Sequence, residues 1–63
     1  MTKEQLINFC KNNSYDEVLD KAKYDAFDMS EGEFTVIGGD VVLKEKGENI
    51  TVGRYENKKF KAN

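Results

Sequence analysis

The 63-residue chain carries twelve acidic and ten basic residues, a formal charge of −2, one cysteine and no histidine. A chain this short buries only about 60% of the surface that it exposes when unfolded, which leaves room for one domain with a modest core. The lone Cys10 excludes an internal disulfide, the absence of histidine and of a second cysteine excludes a structural zinc set, and no Ser-His, Cys-His or glycine-rich phosphate pattern supports catalysis.

The first predicted element is a helix over about residues 3–12. Thr2 stands three residues before Gln5 in a capping-box arrangement, and Leu6, Phe9 and Cys10 form one apolar stripe that Ile7 widens. Asn12, Asn13 and Ser14 break this helix. Ser14 caps the next, over about 15–26, with Glu17 completing a second box, and Tyr15, Val18, Leu19, Ala22 and Ala26 fall on one side of it. An acidic, turn-rich stretch from Asp28 to Glu33 then ends the helical half.

From residue 33 the period changes from that of a helix to the alternation of a strand. Strands are predicted at about 33–37, 40–45 and 50–56, with Gly38-Gly39 as a two-residue hairpin loop and residues 46–49 as a four-residue second turn. This register sets Phe34 opposite Leu43 and Glu45 opposite Ile50. Phe34, Val36, Val41, Leu43, Ile50 and Val52 then share the face that meets the helices, while Ile37, Val42 and Tyr55 share the other. Residues 57–63 read as a flexible tail or a short edge segment pinned by Phe60. The expected fold class is α+β, two short N-terminal helices packed on one face of a three-stranded antiparallel meander.

Charge is unevenly divided. Residues 1–31 hold seven acids and four bases, whereas residues 32–63 hold five acids and six bases. Lys44, Lys46, Arg54, Lys58, Lys59 and Lys61, interleaved with Tyr55 and Phe60, are the candidate contacts for nucleic acid. Glu45, Glu48 and Glu56 interrupt that set, and the second helix carries Asp16, Glu17, Asp20 and Asp25, so a nucleic-acid role is the less favoured one. Asp16 and Asp20 stand one helical turn apart, but a solvated face explains them better than a metal site, and the acids of 28–33 miss calcium-loop spacing. Cys10 lies on an apolar stripe and reads as a small core residue.

No apolar run approaches the roughly 20 residues of a membrane span, and the start MTKEQLINF lacks the long apolar segment of a signal peptide. The expected setting is therefore cytoplasmic, without a cofactor, and Asn49-Ile50-Thr51 is an accidental match to a glycosylation acceptor. The leading expectation is a protein-interaction module, an accessory regulator or inhibitor. Its expected contacts are Asp16, Asp20, Tyr24 and Asp25 on the helical side and Ile37, Val42 and Tyr55 on the sheet. A nucleic-acid-binding protein and a homo-oligomeric structural protein are the alternatives.

Overall fold

The computed structural model describes all 63 residues, Met1–Asn63. Helix α1 (Lys3–Asn12) starts where the Thr2 side chain accepts from the Gln5 N–H and the Gln5 side chain accepts in return from Thr2. Ser14 and Glu17 make the same reciprocal contact ahead of α2 (Tyr15–Lys21). Each box satisfies backbone donors that a helix N-terminus leaves unpaired, an effect worth about 1 kcal/mol per cap.

Helix α2 does not reach residue 26. Ala22 turns extended, with φ −70° and ψ 145°, and the Lys23 N–H donates to the Phe34 carbonyl at 2.8 Å. The Thr35 hydroxyl donates in turn to the Lys23 carbonyl. Pairing with the sheet thus replaces the continuing helical bonds, and only a single 3₁₀ turn follows, at Ala26–Asp28.

The sheet has four strands, not the three expected: β1 (Phe34–Ile37), β2 (Asp40–Glu45), β3 (Glu48–Glu56) and β4 (Lys59–Ala62), in the antiparallel order β1-β2-β3-β4. All three connections are two-residue loops with both φ angles positive: Gly38-Gly39 at 56° and 90°, Lys46-Gly47 at 55° and 77°, and Asn57-Lys58 at 51° and 63°. This is the loop conformation whose twist matches that of a hairpin. Of the two readings of residues 57–63 the edge segment pinned by Phe60 holds, as a fourth strand that returns through a turn without glycine. The Asn63 N–H donates to the Val52 carbonyl at 3.1 Å, and the Asn63 side chain donates to the Thr51 carbonyl at 3.0 Å.

The shorter second turn also changes the register. Glu45 faces Glu48, and Leu43 faces Ile50 rather than Val52. A bulge in β3 then corrects the parity: Val42 pairs with Thr51 and Val41 with Gly53, leaving Val52 as the extra residue. Val52 and Gly53 are both buried, and beyond them the inward positions of β3 have shifted by one. Tyr55 consequently faces the helices and is only 8% exposed, contrary to its expected place beside Ile37 and Val42.

Both helices lie on one face of the sheet. Leu6 and Cys10 of α1 and Val18 of α2 meet Phe34, Val41, Leu43, Val52 and Tyr55 in a single buried cluster. Tyr55 packs edge-on against Tyr15, with ring centroids 4.7 Å apart, and tilted against Phe60 at 5.4 Å, which links α2, β3 and β4. Phe60 also covers Gly53, where a Cβ would overlap the ring and stand 2.7 Å from the Lys61 carbonyl oxygen. Ile50 and Val36, both expected inside, are only half-buried.

The left-handed conformation of Lys58 costs about 1–2 kcal/mol in a residue with a Cβ, whereas glycine adopts it freely at an entropic cost of about 0.5–1 kcal/mol. Lys58→Gly should therefore raise stability by roughly 0.5–1 kcal/mol, a gain of about 4–8 °C in thermal midpoint measured by circular dichroism.

Candidate functional site

The residues expected to act together on the helical side are divided by the early end of α2. Asp16 and Asp20 remain exposed on the helix. Tyr24 and Asp25 lie beyond it, Tyr24 fully exposed and Asp25 using its carboxylate to accept from the Phe27 N–H at 2.9 Å. The sheet set disperses as well: Ile37 is 53% exposed, Val42 is half-buried and Tyr55 is inside. Thr35, on the same face as Val42, is buried, and so is Met29, outside the main cluster. The connection from Lys23 to Gly32 is bonded to the sheet at both ends, by the Thr35 hydroxyl that donates to the Lys23 carbonyl and by the Gly32 N–H that donates to the Lys44 carbonyl.

The basic set does not gather into a stripe. Lys44 and Lys46 stand near the β2–β3 turn, while Arg54, Lys58, Lys59 and Lys61 stand near the opposite end of β3. Arg54 is 3.5 Å from Asp40, and Lys61 is 3.1 Å from Glu56. Tyr55 and Phe60 face each other in the packing of the sheet, so they do not present free rings on which bases could stack.

What the tertiary structure does assemble is a groove of about 340 Å³ at the edge of β1, lined by Leu19, Ala22, Lys23, Tyr24, Thr35 and Val36. Its walls come from the last turn of α2 and the extended chain after it, and its floor from the edge strand. Leu19, expected on the inner stripe of a long helix, is exposed at the rim, and Phe27, three residues after Tyr24, is 95% exposed. Phe27 and Val36 were not among the expected contacts. The signal in the sequence was an aromatic pair, Tyr24 and Phe27, set among Asp20, Asp25 and Asp28 where the apolar stripe gives out.

A second depression of about 310 Å³ lies on the other side of Lys23, with Phe9 and Phe34 among its lining residues. The Lys23 ammonium crosses to Glu33 at 3.0 Å beside it. The Phe9 and Phe34 rings are in edge contact, with centroids 6.2 Å apart. The α-amino group of Met1 donates to the Gly32 carbonyl at 2.9 Å, so this depression is bordered by groups already bonded to one another.

The titratable groups that depart from their ordinary behaviour serve structure. Glu31 accepts from the Gly47 and Lys46 N–H groups and ties the connection to the β2–β3 turn, which holds its carboxyl below the ordinary value of 4.5. Glu33 is held low chiefly by the Ser30 N–H and then by Lys23. Burial pushes the Cys10 thiol up, against a smaller opposing effect of the Tyr55 hydroxyl beside it, so the thiol is a poor nucleophile. Burial likewise raises Tyr55, whose hydroxyl meets Cys10 without forming a regular hydrogen bond and is left unsatisfied. No three His, Cys, Asp or Glu side chains converge as a metal centre would require. No helix is long and apolar enough to cross a membrane.

Compared with known proteins, the chain matches no family model, and no curated protein or solved structure is similar enough to count as a match.

Two outcomes test this assignment of the titratable groups to structure. Tyr55→Phe removes a buried hydroxyl without a partner while keeping the ring contacts, and should leave stability unchanged or raise it by about 1 kcal/mol in denaturant unfolding. Glu31 has a lowered folded pKa, so its contribution is complete above 4.5 and disappears as pH falls through the lowered value. Glu31→Gln should therefore lower the thermal midpoint at pH 7, with the difference from the unaltered protein closing progressively below pH 4.5.

Proposed function

We propose that the protein is a small protein-binding module whose contact surface is the groove at the β1 edge together with the aromatic residues around it. The observation that carries this reading is the exposure of Tyr24, which lines the groove, and of Phe27 three residues further on, in a chain with so little core. Burying such side chains is worth about 1.5–3 kcal/mol each, and a 63-residue domain has few other means of stabilising itself. Here the backbone directs both outward instead. Aromatic residues are the commonest anchors of protein interfaces, where their large area is buried against a partner.

The surroundings of the groove suit a regulator or inhibitor that acts by occupying a partner's surface. Asp16 and Asp20 are exposed on α2, the helix that contributes Leu19 to the groove, and Asp25 follows Tyr24 in the chain; these charges would orient a partner of opposite charge. The nucleic-acid reading has less support, because the bases are dispersed and two are paired with carboxylates.

The test is affinity capture from native extract with the unaltered chain and with a Tyr24→Ala/Phe27→Ala variant, in parallel with nuclease-treated samples. A retained protein is then purified and its affinity measured for both chains. A loss of about 30-fold, with the thermal midpoint unchanged, is the expected outcome and corresponds to about 2 kcal/mol of hot-spot energy. Equal affinity would remove the aromatic surface from the proposal, and recovery that depends on nucleic acid would favour the other reading.

A further inference from the structure

The two outer edges of the sheet are unlike. β4 carries Lys59 and Lys61 in its four residues, and charges of this kind on an edge strand oppose pairing with another chain. β1 is Phe-Thr-Val-Ile, with no charge at all. Its protection is the single crossing at Lys23, whose N–H donates to the Phe34 carbonyl.

Alternation along the backbone shows what remains open. The Glu33 carbonyl accepts from the Lys44 N–H and so faces β2, while the Phe34 carbonyl accepts from Lys23 and faces away. Thr35 and Ile37 accordingly pair with β2, where Ile37 and Asp40 close the first hairpin. Val36 directs its N–H and carbonyl outward, at the lip of the groove formed with Leu19, Ala22 and Tyr24. An uncharged edge with a free donor and acceptor beside an apolar pocket has the two components of recognition by strand addition.

Charge selects the occupant. Residues 15–25, which supply α2 and the chain beside the groove, hold four acids, Asp16, Glu17, Asp20 and Asp25, and two bases, and of these Lys23, which lines the groove, is neutralised by Glu33 at 3.0 Å. We propose that this edge receives an extended, basic segment of a partner protein as a fifth strand. One residue of the segment exchanges two hydrogen bonds with Val36. An apolar neighbour enters the groove against Leu19 and Tyr24, and lysine or arginine side chains on the alternate positions lie near Asp20 and Asp25. The crossing at Lys23 sets where this strand begins, because Phe34 is already paired. This inference rests on the protein-binding reading and specifies its ligand.

The experiment uses the full chain, isotopically labelled, and two capped ten-residue peptides, one alternating lysine with valine and one alternating glutamate with valine. The lysine peptide should shift the resonances of Leu19, Tyr24 and Val36, and at saturation slow exchange of the Val36 amide at least tenfold. The glutamate peptide should bind at least tenfold more weakly. Val36→Pro deletes the outward N–H at an edge position where proline is tolerated, and should weaken binding of the lysine peptide at least tenfold. Tyr24→Ala, at a fully exposed position whose side chain the fold does not need, should do the same. Equal binding of the two peptides, or shifts confined to the acids of α2 with unchanged Val36 exchange, would overturn strand addition. So would sedimentation showing that the chain assembles with itself through the same residues. If the aromatic double variant loses the captured partner while Val36→Pro keeps it, the protein-binding reading stands and the fifth strand falls. If neither substitution affects capture, both fall.

Discussion

The arrangement of this protein depends on one extra residue in β3. Strict alternation from Ile50 onward would put Ile50 and Val52 inside and Gly53 and Tyr55 outside. The bulge at Val52 lets two consecutive residues, Val52 and Gly53, lie inside, and carries Tyr55 into the core after them. Tyr55 is the ring against which both Tyr15 of α2 and Phe60 of β4 pack. Without that shift the second helix would lose its aromatic contact with the sheet, and β4 would have no ring to close against. Gly53 belongs to the same device: its missing side chain is the space that Phe60 fills. A core this small has no spare large residues, so one step of parity decides whether the helices and the fourth strand are joined.

The connection from Lys23 to Gly32 has the second structural role and prepares the candidate site. It is held near its start by Lys23 and Thr35, and near its end by Glu31 on the β2–β3 turn and by the Gly32 N–H, which donates to the Lys44 carbonyl at 2.8 Å. Between these anchors Met29 is buried, while Tyr24 and Phe27 are directed into solvent. The exposed aromatics thus belong to a backbone fixed at several points rather than to a free loop. A surface held in this way loses less conformational entropy when a partner covers it, which favours its use in binding.

Part of this was legible along the chain. The Thr2–Gln5 and Ser14–Glu17 boxes, the apolar stripe of α1 and the pairing of Phe34 with Leu43 around Gly38-Gly39 all follow from residues close in sequence. The second turn is shorter than its composition suggests because Lys46-Gly47 suffices as a two-residue loop, and Glu48 and Asn49, poor strand formers, belong to β3 all the same. The fourth strand was legible only as one of two readings of residues 57–63, because its turn, Asn57-Lys58, has no glycine and lies between charged residues. Of the candidate contacts, Tyr24 alone lies both in the groove and in the expected set. Asp16 and Asp20 remain on the exposed face of α2, and Tyr55 changes sides with the bulge.

By itself, then, the sequence determined where helices begin, where the first hairpin turns and that helices and sheet share one small core. Caps and two-residue loops are satisfied by groups three residues apart or fewer, so their chemistry is complete before the chain folds. The end of α2, the parity of β3, the pairing of β4 and the groove at the β1 edge were decided only by the tertiary structure. Each rests on a bond or contact between distant residues: Thr35 with Lys23, Val41 with Gly53, Asn63 with Val52, and Val36 with Leu19 and Tyr24 around one pocket. Local preference at those positions was weak or pointed elsewhere, and the packing of elements against one another supplied the deciding free energy.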